Sequence, residues 1–195
     1  NATSREVRSA LVESGVLQEV QIERTSRRGL ISNIYKGKIS RVLPGMQAAF
    51  VELGLERTAF LHASDIVRNP HMEQAENGGE PDIRDFVREG QELLVQVLKE
   101  PLGTKGARLT TYIALPSRYL VLTPNTTGIG VSARIEDEAE RERLRTLVEE
   151  LRVGTPEAGY IVRTAAEGAT RDALLADMQF LHKLWKSIEE KAATT

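Results

Sequence analysis

ISNIYKGKISRVLPGMQAAFVELGLERTAFLH, residues 31–62, holds three short β-prone runs in close succession. The run over 31–42 closes on Leu43-Pro44-Gly45, that over 47–53 closes on Gly54, and 58–62 makes a third. Proline and glycine at the breaks supply the turns. Downstream, 92–99 alternates strongly, 101–106 is a turn and 107–113 is a fifth strand. Five short strands in this stretch, joined partly by tight turns, predict a small closed barrel of the OB type. Between the third and fourth strands, 68–85 is polar, holds Pro70, Gly78, Gly79 and Pro81, and reads as a long loop.

Upstream, 7–23 reads as a β-hairpin turning at Glu13-Ser14-Gly15. Two strands alone are marginal in water, and no partner sheet lies nearby in sequence. After Pro116 the pattern changes. Residues 119–122 form a strand, 126–131 a glycine-rich loop, and 136–152 a solvated helix with Leu144, Leu147, Val148 and Leu151 at helical spacing. A strand over 159–164 precedes a second helix over 171–192, whose stripe of Leu174, Met178, Leu181, Trp185 and Ile188 faces a core that includes Trp185. The predicted class is α+β.

With 195 residues and 41% hydrophobic content the chain has material for a real core. Lys+Arg 26 against Asp+Glu 28 leaves a net charge of −2, which excludes a uniformly basic nucleic-acid binder but allows a basic face. No cysteine is present, which removes disulfides, thiol nucleophiles and cysteine zinc sites and fits a reducing compartment. No apolar run approaches the ~20 residues of a membrane span, so a cytoplasmic protein without membrane attachment is expected. The sequence opens on Asn1 and enters a strand pattern at once, as a piece of a longer protein would.

The barrel carries the informative side chains. Phe50 and Phe60 fall in neighbouring strands, and Arg27, Arg28, Lys36, Lys38 and Arg41 lie in a stretch free of acidic residues. Lys99, Lys105, Arg108 and Arg118 form a second basic group. Aromatic platforms for unpaired bases beside cations that track phosphates are what single-stranded RNA binding requires. Core packing of both rings is the competing reading, and in Ala49-Phe50-Val51 the alternation does not decide between them.

Longer blocks carry a resemblance. Lys36-Gly37-Lys38-Ile39, Ala49-Phe50-Val51-Glu52-Leu53-Gly54 and Ala59-Phe60-Leu61-His62-Ala63-Ser64-Asp65-Ile66 resemble the S1-type RNA-binding domain, an OB-fold. Leu43-Pro44-Gly45-Met46-Gln47-Ala48-Ala49-Phe50-Val51 and Gly103-Thr104-Lys105-Gly106-Ala107-Arg108-Leu109-Thr110-Thr111 resemble the ribonuclease E/G family, and the similarity runs over nearly the whole chain.

The resemblance implies three parts: the first portion of a split ribonuclease H-like subdomain over 1–28, an S1 barrel over 29–112 and a 5′-sensor region over 113–195. It implies RNA contacts at Phe50, Phe60, Lys105, Lys36, Lys38 and His62. It assigns the 5′-monophosphate to Arg163 and Thr164 in Ile161-Val162-Arg163-Thr164-Ala165, with Val121 beneath the terminal base and Ser117 where relatives have glycine. The implied parent is a homo-oligomeric, Mg²⁺-dependent endoribonuclease of RNA processing and decay, with a Zn²⁺ link. Its catalytic carboxylates lie outside this chain, which is expected to hold no metal and not to cut RNA alone. The rival is a noncatalytic S1-type protein bound to ribosomes or transcripts.

Other candidates carry less. His62, His71 and His182 show no metal-ligand spacing, and Gly128-Ile129-Gly130 is too short for a nucleotide loop. The acidic run at Glu136, Asp137, Glu138 and Glu140 reads as a helix start favoured by the macrodipole.

Overall fold

The computed structural model describes residues 1–24, 29–67, 82–103, 105–152 and 158–194. The chain divides into two units, Asn1–Ile31 and Ser32–Thr195. In the first, β1 (Glu6–Glu13) pairs antiparallel with β2 (Val16–Arg24). Ser14 and Gly15 between them both have positive φ, 50° and 78°, the conformation whose twist matches that of a two-residue hairpin. A bulge beside Val12 leaves Ala10, Val12, Leu17, Val20 and Ile22 on one face and Ser9, Glu19, Gln21 and Glu23 largely on the other. Within this unit both faces are exposed.

In the second unit, β3 (Ile34–Leu43), β4 (Ala48–Glu52), β5 (Ala59–His62), β6 (Glu92–Lys99) and β7 (Arg108–Thr110) close a barrel in the order β3-β4-β5-β7-β6. The expected OB-type barrel is therefore present. Every pairing is antiparallel except β5 with β7. Ile39, Ala49, Val51, Leu61, Val95, Val97 and Leu109 are buried, the inward half of each strand's two-residue alternation. The part of the long loop that is described is not all loop. Asp82 and Asp85 form a capping box around α1 (Ile83–Phe86), which satisfies the first amides of even a four-residue helix. Gln47 fastens it, since its Oε1 accepts the Ile83 amide at 2.8 Å. Residues 68–81, including His71, lie outside the described residues.

Beyond the barrel, β8 (Leu115–Pro116), β9 (Leu120–Thr123), β10 (Ile129–Val131) and β11 (Gly159–Val162) form a sheet in the order β10-β11-β9-β8, with β10 parallel to β11. The stretch 126–131, read as a loop, thus ends in a strand. Its three residues include a glycine and are too few to show alternation. Leucines and valines from β9, β11, α2 (Glu138–Leu151) and α3 (Arg171–Thr194) make the core, with Leu120, Val162, Leu144 and Leu181 all at 0% exposure. Trp185 and Ile188 are only half-buried and pack against its margin. Asp137 caps α2 by accepting the Ala139 amide at 2.9 Å. Glu140 binds the Arg143 guanidinium and the Gly168 amide, which together hold its carboxyl at about 2.

His182 of α3 stacks on Tyr160 of β11, with ring centroids 6.1 Å apart and the phenol hydroxyl against Nε2. Burial pushes the imidazole below its ordinary value, so the unfolded chain takes up this proton first as pH falls. The associated stability is complete above the ordinary histidine range and is lost as pH falls through the lowered folded value. Thermal melts between pH 8 and 5 are expected to show a falling midpoint that His182→Asn flattens. An unchanged slope in that variant would exclude His182 as its source.

Candidate nucleic-acid interface

Strand registers place one row of side chains across the outside of the barrel. Arg41 of β3 lies opposite Phe50 of β4, Phe50 opposite Phe60 of β5, Phe60 beside Arg108 of β7, and Arg108 opposite Lys99 of β6. A register irregularity between Ile39 and Arg41 brings Arg41 into that row. Both phenylalanines are half-buried while their neighbours Ala49, Val51, Ala59 and Leu61 are all at 0% exposure. The rings therefore face out and the small aliphatic neighbours make the core, which settles what alternation left open. Their centroids stand 6.4 Å apart with planes at 66°, an edge-on pair that leaves ring surface for unpaired bases.

A groove of about 1000 Å³ runs along this row. Arg41, Arg57, Lys99, Lys105 and Arg108 line it against two carboxylates, Glu56 and Glu100, so the local balance is positive although the chain is slightly acidic. Arg108 is held by Asp65, whose Oδ2 accepts Nε at 2.9 Å and Nη2 at 2.8 Å. This ion pair holds the guanidinium in place on the strand neighbouring Phe60. Lys105 sits at a tight turn closed by reciprocal backbone bonds with Leu102 at 3.0 and 3.1 Å.

The structure thus brings Phe50, Phe60 and Lys105 together and sets three other expected contacts apart from the groove lining. Lys36 forms an ion pair with Glu92 at 3.2 Å, and Lys38 projects from the part of β3 that pairs with β6. His62 caps the turn over 63–65, its Nδ1 accepting the Ser64 amide at 3.1 Å, with its ring 6.4 Å from that of Phe60. Arg27, Arg28 and Thr104 lie outside the described residues. Arg41 and Arg108 belong to the basic groups seen in the sequence, but only the registers join them to the aromatic pair.

A second cluster lies on the sheet that follows. Its helix-free face carries a row of Pro116, Val121, Ile161 and Gly130, with Ile161 45% exposed. Arg163 continues that face past the end of β11. Its amide donates to the Tyr119 carbonyl at 2.8 Å and its guanidinium to the Ser117 carbonyl. Thr164 Oγ1 meets Ser132 Oγ at 3.0 Å, across the carboxyl ends of parallel β11 and β10. Arg163 and Thr164 are exposed and Val121 half-buried. The arrangement offers a fork of cationic donors and two hydroxyls beside an apolar shelf, suited to an anion attached to a flat apolar group. Ser132 carries no motif of its own and was not legible as a candidate.

Among the described residues no three His, Asp or Glu side chains converge as a metal centre requires, and no helix is long and apolar enough to cross a membrane.

Comparison with known proteins matches residues 114–195 to the Ribonuclease E/G family and residues 31–111 to the S1 RNA binding domain. Ribonuclease G of Salmonella typhimurium (strain SL1344) is 53% identical over 196 residues, which cover 98% of this chain and 39% of that protein. Ribonuclease E of Escherichia coli (strain K12) is 43% identical over 195 residues, 98% of this chain and 18% of its own length. Among solved structures, GSP13 from Bacillus subtilis aligns with a TM-score of 0.32 at 22% identity, over 41% of this chain and 53% of its own. The chain therefore spans well under half the length of the ribonucleases it matches.

Proposed function

The chain belongs to the ribonuclease E/G family, and from that premise we propose that it is the part of an endoribonuclease that binds single-stranded RNA and reads its 5′ end. In this reading residues 29–112 grip the RNA, 113–195 recognise a 5′-monophosphate, and 1–28 contribute to a ribonuclease H-like subdomain. The single observation that carries it is the row Arg41, Phe50, Phe60, Arg108, in which stacking rings alternate with cations along one groove.

The Arg163 and Thr164 cluster supports the second role. A terminal phosphate monoester carries more charge than a bridging phosphate and offers three oxygens, which a guanidinium edge and a threonine hydroxyl meet in a charge-assisted way. Val121 and Ile161 supply the shelf on which the first base would lie. Hydrolysis by the parent is expected to use Mg²⁺, and the described residues do not fit such an ion, so no step of the reaction is assigned to them. Alone, the chain binds and orients RNA without cutting it. Oligomerisation of the parent and its Zn²⁺ link belong equally to the proposal.

The test compares two oligonucleotides differing only in a 5′-monophosphate or 5′-hydroxyl. The phosphorylated one should bind about tenfold better, the effect of one charge-assisted hydrogen bond at a partly exposed site. Arg163→Ala should erase the difference and leave affinity for the hydroxylated oligonucleotide unchanged. Equal binding of both by the wild-type chain would show that the end is not read here.

A further inference from the structure

We infer that Asp177 is a positioning residue for the Arg163 and Thr164 pocket, acting through the turn over 117–120; the inference rests on the phosphate-reading role proposed above. Asp177 lies on α3, one residue before Met178 of the core stripe. One of its oxygens, Oδ2, accepts three hydrogen bonds, from the Ser117 hydroxyl, the Tyr119 amide at 3.0 Å and the Leu120 amide at 2.9 Å. A carboxylate cradled by successive backbone amides and a hydroxyl holds its turn as an anion holds a nest.

That turn holds Arg163 at two points. The Tyr119 carbonyl takes the Arg163 amide and the Ser117 carbonyl takes one guanidinium nitrogen, Nη1. With Nη1 held by the Ser117 carbonyl, the planar fork is anchored at one corner and less rotamer freedom is left to lose when an anion arrives. The path therefore runs from helix α3 through Asp177 and the turn to the guanidinium. The same turn leads into β9, where Val121 is held separately by its sheet pairing with Ile161 and Pro116, so the support from Asp177 reaches the fork and not the shelf. Removing the carboxylate leaves two backbone amides without their partner and frees the Ser117 carbonyl to drift. Sites of this kind lose function when the supporting shell loosens even though every contacting residue remains.

The test uses the whole chain and measures binding of the same two oligonucleotides by fluorescence anisotropy, beside thermal melts. Asp177→Ala is expected to reduce the preference for the 5′-monophosphate from about tenfold to about twofold, leaving affinity for the 5′-hydroxyl form at the wild-type level. Asp177→Asn keeps an acceptor oxygen and should retain part of the preference; it decides the matter if the alanine variant does not fold. Combining Asp177→Ala with Arg163→Ala should cost nothing beyond Arg163→Ala, because both act on one group. A lowered melting midpoint with a wild-type preference, in variants where Arg163→Ala still abolishes it, would overturn the inference and leave Asp177 a structural residue. No preference in the wild-type chain would overturn the phosphate reading itself.

Discussion

Replacing Phe50 and Phe60 together by alanine is expected to weaken binding of a short single-stranded oligonucleotide on the order of a hundredfold or more. Each base stacked on a ring contributes ~1–3 kcal/mol, so two such losses come to ~2–6 kcal/mol, which at ~1.4 kcal/mol per decade centres on two decades or more of affinity. The fold should survive the change. Both rings face out of the barrel, and the residues that pack its interior, Ala49, Val51, Ala59 and Leu61, are untouched. The double variant should melt close to the wild type, which separates lost contact from lost structure. Lys105→Ala serves as the electrostatic counterpart. If Lys105 meets a phosphate, its removal should lower affinity evenly across sequences and flatten the dependence of log K on log salt by a little under one unit. The ring variants should leave that slope unchanged. Wild-type affinity in the double phenylalanine variant at low salt would show that RNA does not use this groove.

The reasons this site was only half legible are physical. Strand positions follow from punctuation: Leu43-Pro44-Gly45, Gly54 and Ser14-Gly15 stop strands by chemistry that needs no partner. Facing is another matter. In Ala49-Phe50-Val51 every residue is apolar, so a two-residue period is invisible, and only the exposures, 0% at Ala49 and Val51 against a half-buried Phe50, show that the ring points outward. Arg108 reaches the side of Phe60 only through the one parallel pairing of the barrel, between strands far apart in sequence. Charge density alone does not place a side chain in the groove. Lys36 and Lys38 lie in the most basic stretch, yet they ride the segment of β3 that runs along β6, where Glu92 takes one of them. Asp177 shows a third kind of silence. An acidic residue beside the apolar stripe of a helix is ordinary in any sequence, and its significance comes wholly from the three donors that a distant turn presents to it.

Closure of the barrel depends on a position without a side chain, and Gly106→Ala is expected to be among the most destabilising single changes in the chain. A Cβ at Gly106 would lie 1.9 Å from the Thr58 carbonyl oxygen, 2.9 Å from its carbonyl carbon and 3.3 Å from the Ala59 Cα. All three are backbone atoms, so no rotamer change can relieve the overlap. The strands would have to part at the place where the Phe60 amide donates to the Ala107 carbonyl at 2.7 Å and the parallel β5–β7 pairing begins. Overpacking that a core can absorb costs ~1–3 kcal/mol. With only backbone to move, the upper end of that range is expected, and at ~2–4 °C per kcal/mol for a chain of this size the midpoint should fall by about 6–12 °C. Since Gly106 also lines the groove between Lys105 and Arg108, RNA affinity should fall with stability. Gly130→Ala is the control: its added Cβ would find nothing nearer than Ile161 Cγ1 at 3.8 Å, an ordinary contact, and its midpoint should stay near the wild type. Circular dichroism melts of both variants decide the matter. A Gly106→Ala chain that melts with the wild type would mean that the β5–β7 seam is not packed as tightly as the barrel requires.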